Sequence, residues 1–401
     1  MSNDYLVHVL VLGLATAAAL VPPARPRLLA RAAFLAGMVV NEVPHLFLAL
    51  LAASTAAAIW SGDLRTDVLS GVLLAGAVAT AVMLILLTRR AARSRSAAGA
   101  ALRAAGIDRA PARRSWWRTA LTPLPIRPRS VRRLRNLRYG DHRRQRLDVL
   151  RRRDRPTGGP VLVYFHGGGY FSGSKNWEAR GLLHHLAARG WMCVSATYRL
   201  RPGAGFEEHL ADAEAAIAWA RTHAGEHGAD ATTVVLAGSS AGAHLTSLYT
   251  LRAKPEERPA AAVCLYGYYG RYYGRGADEA VTSTPFALPA SDAPAFLIAH
   301  GSLDNYTSAG TARALADKLR AESSQPVVHV ELPGGQHAFD IVSAWRLTAV
   351  IDTLDALLAD IGVGAGGTST DRAAPSPPAT CAGVRRARAF ARPGEGHLEA
   401  Q

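Results

Sequence analysis

Three long apolar stretches, residues 5–21, 32–60 and 68–88, fill the amino-terminal third, after which the pattern changes to short apolar runs separated by polar loops. The third stretch, Val68 to Thr88, carries no charge. As a helix it is about 30 Å long, the thickness of a bilayer core. The first is shorter and has Asp4 but no basic residue before it, so it lacks the basic start of a secretory signal and reads as an anchor. Asn41-Glu42-Val43-Pro44-His45 interrupts the middle stretch. A carboxylate at bilayer depth is expensive, so Glu42 and His45 are expected either to pair inside a helix bundle or to mark a re-entrant turn.

Beyond residue 131 the period alternates between strand and helix. Arg138-Tyr139-Gly140 and Arg146 to Leu150 read as opening strands, followed by a strand at Val161–Phe165, a helix at 179–189 and a strand at 192–197. A helix over 212–223, with Asp212 at its start, leads to the apolar run Thr233–Ala237. Further strands are expected at 295–300 and 327–332, with helices at 309–321 and 345–360. Such alternation predicts a mostly parallel, doubly wound α/β sheet. From Gly362 onward the chain is Gly, Ala, Pro, Ser, Thr and Arg without apolar period, a composition that stays disordered. The expected organisation is a helical transmembrane region at 1–90, a basic juxtamembrane linker at 91–130, a catalytic domain at 131–361 and a disordered tail at 362–401.

Charge sharpens this picture. Residues 89–155 hold 22 Arg against 4 Asp, a surplus of 18 that exceeds the net charge of +15 for all 401 residues. No nucleic-acid recognition fold accompanies that surplus, so nucleic acid is not an expected partner. Anionic membrane lipid is, because Ser115-Trp116-Trp117-Arg118 mixes interfacial tryptophans with arginine. Arg25, Arg27 and Arg31 lie after the first stretch, Arg65 stands between Asp63 and Asp67 after the second, and Arg89, Arg90, Arg93 and Arg95 follow the third. By the positive-inside rule the expected protein is multi-pass, with three crossings and a cytoplasmic catalytic part. A re-entrant 32–60 would put that part outside. Of three cysteines, Cys193 and Cys264 sit in apolar strands and Cys381 in the tail, which suggests no disulfide framework.

The chemistry is concentrated in four loops. Gly238-Ser239-Ser240-Ala241-Gly242 lies between an apolar strand and the helix-like Ala243–Leu248, the arrangement of a nucleophile elbow with Ser240 exposed on a tight turn. His166-Gly167-Gly168-Gly169 follows Val161–Phe165, and glycines there let backbone N–H groups approach an acyl oxygen. Asp304 stands in the loop after strand 295–300, and His337 in Gly334–Phe339 after strand 327–332. Serine, acid and histidine thus arrive in the chain order of this type of hydrolase. Asp292, His300, His329 and His244 are the competing candidates; position directly after a strand favours Asp304 and His337. His166 is expected to shape its loop, and His244 to support the elbow helix.

Together with Tyr198-Arg199-Leu200-Arg201-Pro202, these motifs make residues 131–360 resemble the hormone-sensitive-lipase-like and carboxylesterase branch of the α/β-hydrolase superfamily. The resemblance implies the α/β-hydrolase fold, Ser240 as nucleophile, His337 as base and Asp304 as its orienting acid. It implies an oxyanion hole of the Gly168, Gly169 and Ala241 N–H groups, with His166, Gly167, Gly238 and Gly242 supporting the loops. Neither metal nor organic cofactor is called for, and the expected partner is a small or lipophilic ester. Ser239 through Leu245 is also similar to arylformamidases, which keeps an amidase open; a catalytically silent membrane interaction module is the remaining alternative. The 64 residues from Ser240 to Asp304 leave little room for a large cap. Tyr266 to Gly274, alternating aromatics and glycines, is expected either as a mobile, amphipathic wall beside the pocket or as a plain surface loop with tyrosines, and the site is expected to be open and to favour short or medium acyl chains.

Overall fold

The computed structural model describes residues 3–23, 27–64, 67–109, 121–154, 157–276 and 278–364. The expected tail, apart from its first residues, and Trp116, Trp117 and Cys381 lie outside them. Helices α1 (Asn3–Leu20), α3 (Pro44–Trp60) and α4 (Val68–Ala92) pack around Tyr5, Val9, Leu12, Leu51, Leu73 and Leu84. Tyr5 Oη meets Thr55 Oγ1 at 3.0 Å, joining the start of α1 to the end of α3. Arg90 near the end of α4 donates to Leu20 O at the end of α1 (2.8 Å), and its side chain lies against Gly334 of the sheet domain. Hence α1 and α4 run toward the sheet domain and α3 runs away from it.

The stretch 32–60 is not one continuous element. Helix α2 (Arg27–Glu42) meets α3 at a bend of 89°. Pro44 cannot continue the hydrogen bonding of α2 but is well suited to the first position of a new helix. One described helix, Val68–Ala104, is long and apolar enough to cross a membrane, and a second if the bent pair counts as one.

The expected linker 91–130 is corrected in part. From α4 the chain continues through Arg93 into α5 (Ser94–Ala104), which packs beside the sheet. Ala98, Leu102 and Ile107 are buried in the same core cluster as the strand residues Leu162, Val235 and Val330. Small and apolar positions four apart give α5 a buried stripe, which a charge count alone conceals. At the other end Val363 also joins this core, two residues past the expected boundary.

The sheet has eight strands in the order β1-β2-β4-β3-β5-β6-β7-β8. These are β1 (Val131–Arg138), β2 (Arg146–Arg152), β3 (Gly159–Phe165), β4 (Met192–Ala196), β5 (Ala229–Ser239), β6 (Ala261–Leu265), β7 (Ala295–Gly301) and β8 (Val327–Leu332). The first two are antiparallel and the rest parallel, so β3, β4, β6 and β7 are buried along their whole length. Helices α6 (Arg180–Ala188), α7 (Phe206–His223), α8 (Ala241–Arg252) and α9 (Ala309–Glu322) lie in crossovers between strands, and α10 (Trp345–Asp360) follows β8.

Helix α7 begins six residues before the expected start. Asp212 is therefore an interior residue of α7, buried and held by Arg199 (Nη2–Oδ1 2.8 Å) and Gln145 (2.7 Å). Cys193 and Cys264 are buried in β4 and β6, where burial pushes the Cys264 thiol up to about 12 and raises Cys193 as well.

Candidate active site

Strand β5, at the centre of the parallel strands, delivers Ser240 into a backbone conformation of φ 52° and ψ −114°. That left-handed φ is costly for a non-glycine residue and lifts the side chain off the sheet. Two glycines make the turn possible: a Cβ on Gly238 would overlap the carbonyl of Gly242, and one on Gly242 the carbonyl of Phe165. Ser240 N–H donates to Leu265 O on β6 (2.9 Å), which pins the elbow.

The structure brings the three separated residues together. His337 Nε2 lies 3.0 Å from Ser240 Oγ, and His337 Nδ1 lies 2.7 Å from Asp304 Oδ2. Asp304 is fixed in turn by the N–H groups of Tyr306 (2.8 Å) and Thr307 (2.9 Å) on Oδ1 and by Thr307 Oγ1 on Oδ2 (3.0 Å). Burial alone would raise its pKa, but the facing His337 and hydrogen bonds from His300 and His337 hold the carboxyl far below the usual range. The bond from the Tyr306 N–H, two residues on, makes an Asx turn; the part of Thr307, whose hydroxyl reaches Oδ2, is a contact that the sequence alone does not announce.

The loop after β3 supplies the opposite wall. Gly168 and Gly169 adopt φ of 103° and 61°, and a Cβ on Gly168 would strike the Ser172 carbonyl. Their N–H groups, and that of Ala241 at the first turn of α8, donate to no acceptor among the described residues. Gly167 is wedged between Glu178 and Ser240: a Cβ there would lie 2.8 Å from Glu178 Oε1 and 3.0 Å from Ser240 Cβ.

His166 stacks on Tyr198 (4.4 Å, 11°), its Nδ1 lies 2.7 Å from Gly167 O, and burial lowers it to about 4. It is a neutral loop residue out of reach of the triad-like line. His244 bonds Tyr170 Oη and Ser283 O, both at 2.8 Å, beneath α8. His329 lies on β8, and Asp292 is a surface residue paired with Arg258 (3.5 Å).

Aromatic side chains surround the histidine. Tyr266 meets His337 edge-on from below at 4.7 Å, and Tyr306 stacks on it at 5.3 Å and 24°. Phe34 of α2 packs edge-to-face against Tyr306 at 4.9 Å. The segment 266–274, expected as a mobile wall or a surface loop, is largely core: Tyr266, Tyr269 and Tyr272 are buried, while Tyr273 is 45 % exposed. Tyr269 turns inward onto α8 and β6, Tyr266 onto Phe339 and Tyr272 onto Tyr170 and Phe206, a packing that aromatic content does not disclose.

The loop carrying His337 is tied to the amino-terminal helices. Arg346, fully buried, pairs with Glu42 (2.8 Å) and donates to Asn41 O (2.8 Å) and Pro333 O (3.2 Å). Asn41 Nδ2 donates to Gly334 O (3.0 Å) and Gln336 Nε2 to Ala19 O (3.2 Å). Glu42 and His45 are expected from the sequence either to pair inside a helix bundle or to mark a re-entrant turn, and Glu42 has a partner outside the bundle. That partner is in the first turn of α10, and His45 lies beside Trp345 instead.

Comparison with known proteins fits this geometry. A family model described as alpha/beta hydrolase fold matches residues 162–282. The probable carboxylic ester hydrolase LipM of Mycobacterium tuberculosis is 32% identical over 419 residues, covering 90% of this chain and 96% of that protein. The chain belongs to the α/β-hydrolase family. Within it the chain falls in the hormone-sensitive-lipase-like carboxylesterase branch and is a carboxylic ester hydrolase. Esterase LipC of the same organism is 34% identical over 242 residues, 52% of this chain and 60% of that protein. Thermogutta terrifontis esterase 2 phosphorylated by paraoxon shares the fold at a TM-score of 0.52 and 24% identity, covering 60% of this chain and 97% of that one. Residues 131–401 are about two thirds of this chain, so the LipM match takes in much of the amino-terminal helical region as well.

Proposed function

We propose that this member of the α/β-hydrolase family is a membrane-anchored serine carboxylesterase that hydrolyses short- to medium-chain esters through an acyl-enzyme at Ser240. The observation that carries the reading is the continuous line from Ser240 Oγ through His337 to Asp304, at 3.0 and 2.7 Å. Ser240 Oγ attacks the ester carbonyl while His337 Nε2 takes its proton, and Asp304 steadies the imidazolium. The N–H groups of Gly168, Gly169 and Ala241 receive the oxyanion, each worth on the order of 3 kcal/mol. His337 returns the proton to the leaving alcohol, and water, activated by the same nitrogen, releases the acid.

Acyl length follows from the mouth. The connection from β6 to β7 holds only a 3-10 turn at Pro285–Ala287 among the described residues, so no inserted helical cap encloses a long chain. Phe171 and Tyr306 are 55 % and 46 % exposed, an apolar rim suited to lipophilic small esters. Anchoring is supported by the apolar outer faces of the bundle: Val72, Val78 and Leu14 are 60 %, 63 % and 72 % exposed, more than a water-facing surface favours.

The test is labelling by a fluorophosphonate probe on isolated membranes, followed by p-nitrophenyl esters of rising chain length. Ser240→Ala is expected to abolish labelling and to lower turnover about a millionfold. Acetate to hexanoate esters should be preferred. Labelling that persists in the variant, or activity confined to long-chain substrates, overturns the corresponding part of the reading.

A further inference from the structure

Behind the nucleophile lies a second pair of acids that the reaction does not use. Glu178 closes the loop that begins at His166, and Asp340 lies three residues after His337. Ala179, in a left-handed conformation at φ 53°, turns the chain so that its own N–H donates to Asp340 Oδ2 (2.9 Å). Glu178 Oε2 accepts the N–H of Gly167 at 2.5 Å. Between the acids runs a file of hydroxyls. Glu178 Oε2 lies 3.2 Å from Tyr164 Oη, Tyr164 Oη lies 2.9 Å from Ser239 Oγ, and Ser239 Oγ lies 3.3 Å from Asp340 Oδ2.

Counting protons decides the state of this file. It has three oxygen–oxygen contacts, and Tyr164 and Ser239 bring one hydroxyl proton each. Two protons cannot fill three contacts, so with both acids ionised two oxygens would face each other at bonding distance with nothing between them. The third proton belongs to a carboxyl at one end. Asp340 also accepts from Tyr266 Oη (2.6 Å) and from Ala179 N–H, so its charge is well satisfied. Glu178 has a single N–H donor. We propose that Glu178 carries this proton, donating it to Tyr164 while Tyr164 donates to Ser239 and Ser239 to Asp340. Glu178 is thereby a positioning residue for the oxyanion loop.

The surroundings agree. Tyr164 from β3, Tyr198 after β4, Ser239 from β5 and Tyr266 after β6 face the pair, and Glu42 faces Asp340 from α2. Among the described residues no Arg or Lys is hydrogen-bonded or ion-paired to either carboxyl. Burial first, then the charge of Asp340, pushes Glu178 up to about 8, and burial keeps the phenols of Tyr164 and Tyr266 protonated. Loss of the Glu178 proton sets a second carboxylate charge beside Asp340 and leaves one contact of the file empty. The element free to yield is the loop of Gly167, whose neighbours Gly168 and Gly169 bind the oxyanion.

The inference rests on the serine esterase reading, and its test separates the two. Infrared difference spectra of the detergent-solubilised full chain at pH 7, wild type minus Glu178→Gln, should contain a protonated carboxylic acid band. The same band should survive in Asp340→Asn. Catalysis supplies the second readout. Wild-type kcat/KM on a soluble ester is expected to fall above about pH 8. Glu178→Gln, whose amide oxygen can still accept the Gly167 N–H and which cannot ionise, should lose that fall, whereas Glu178→Ala, which leaves that N–H without its acceptor, should lose about a hundredfold at every pH, the scale of one oxyanion donor. Absence of the band, its loss in Asp340→Asn only, or an unmoved alkaline limb in Glu178→Gln overturns the proposal. Failure of the fluorophosphonate to label Ser240 while the band is present overturns the esterase mechanism and leaves the proton where it is.

Discussion

His166, His184, His244 and His329 are each lowered to about 4, burial being the main cause. Their ordinary value is 6.5, so between pH 6.5 and 4 the unfolded chain binds protons that the native fold refuses. Stability then falls as pH falls through that window. Glu178 works the other way, because its raised value makes the native state hold a proton that the unfolded chain releases; its contribution declines from about 4.5 to about 8. The four histidines outnumber Glu178 and Asp340, the latter a carboxyl that burial raises in the same sense, so the melting temperature is expected to drop steadily from pH 6.5 to pH 4.5. A flat or rising profile by calorimetry would show that these rings are hydrated in the native state. At this scale Ser240, His337 and the glycines were legible because each sits in a short motif whose spacing is set by the turn it makes. Glu178 and Asp340 were not, since their meaning lies in a hydroxyl file assembled from four chain segments.

Among the elements, the elbow between α2 and α3 has the most to say about the site. The break at Asn41–His45 was plain from its polar residues, but its partner was not, because Arg346 is 304 positions away and nothing local announces a buried arginine. Removing one member of a buried ion pair leaves the other charge without compensation and typically costs about 3–5 kcal/mol. Glu42→Ala and Arg346→Ala should each lower stability by that order and slow fluorophosphonate labelling, since Arg346 also holds the Pro333 carbonyl next to the His337 loop. The double variant Glu42→Leu with Arg346→Met should recover much of the stability by replacing charge with packing. Chemical denaturation of the three variants checks this; a double variant no better than the singles would mean that the backbone bonds of Arg346 matter more than the pair. The early start of α7 and the buried stripe of α5 escaped the sequence reading for a related reason. Both depend on which face meets the sheet, and Asp212 or an arginine-rich surround masks that face in one dimension.

Across the molecule, the directions of α1, α3 and α4 put the start of α1 and the turn after Trp60 at the far end of the bundle from the sheet domain. If the bundle crosses a bilayer, Gly62→Cys in a Cys381→Ser background should react with an impermeant maleimide only from the side opposite the hydrolase. Equal labelling of Gly62→Cys and Ser308→Cys from one side would remove the three-crossing arrangement. The order of synthesis adds a consequence of the Glu42–Arg346 contact. The ribosome makes about 5–20 residues per second, so the 304 positions between them separate the two by roughly 15 to 60 s. During that interval the helical part exists with an acid that has no counter-charge. The histidine loop and α10 are the last of the described elements to emerge and close onto it, so the helices are the template on which the hydrolytic site is finished.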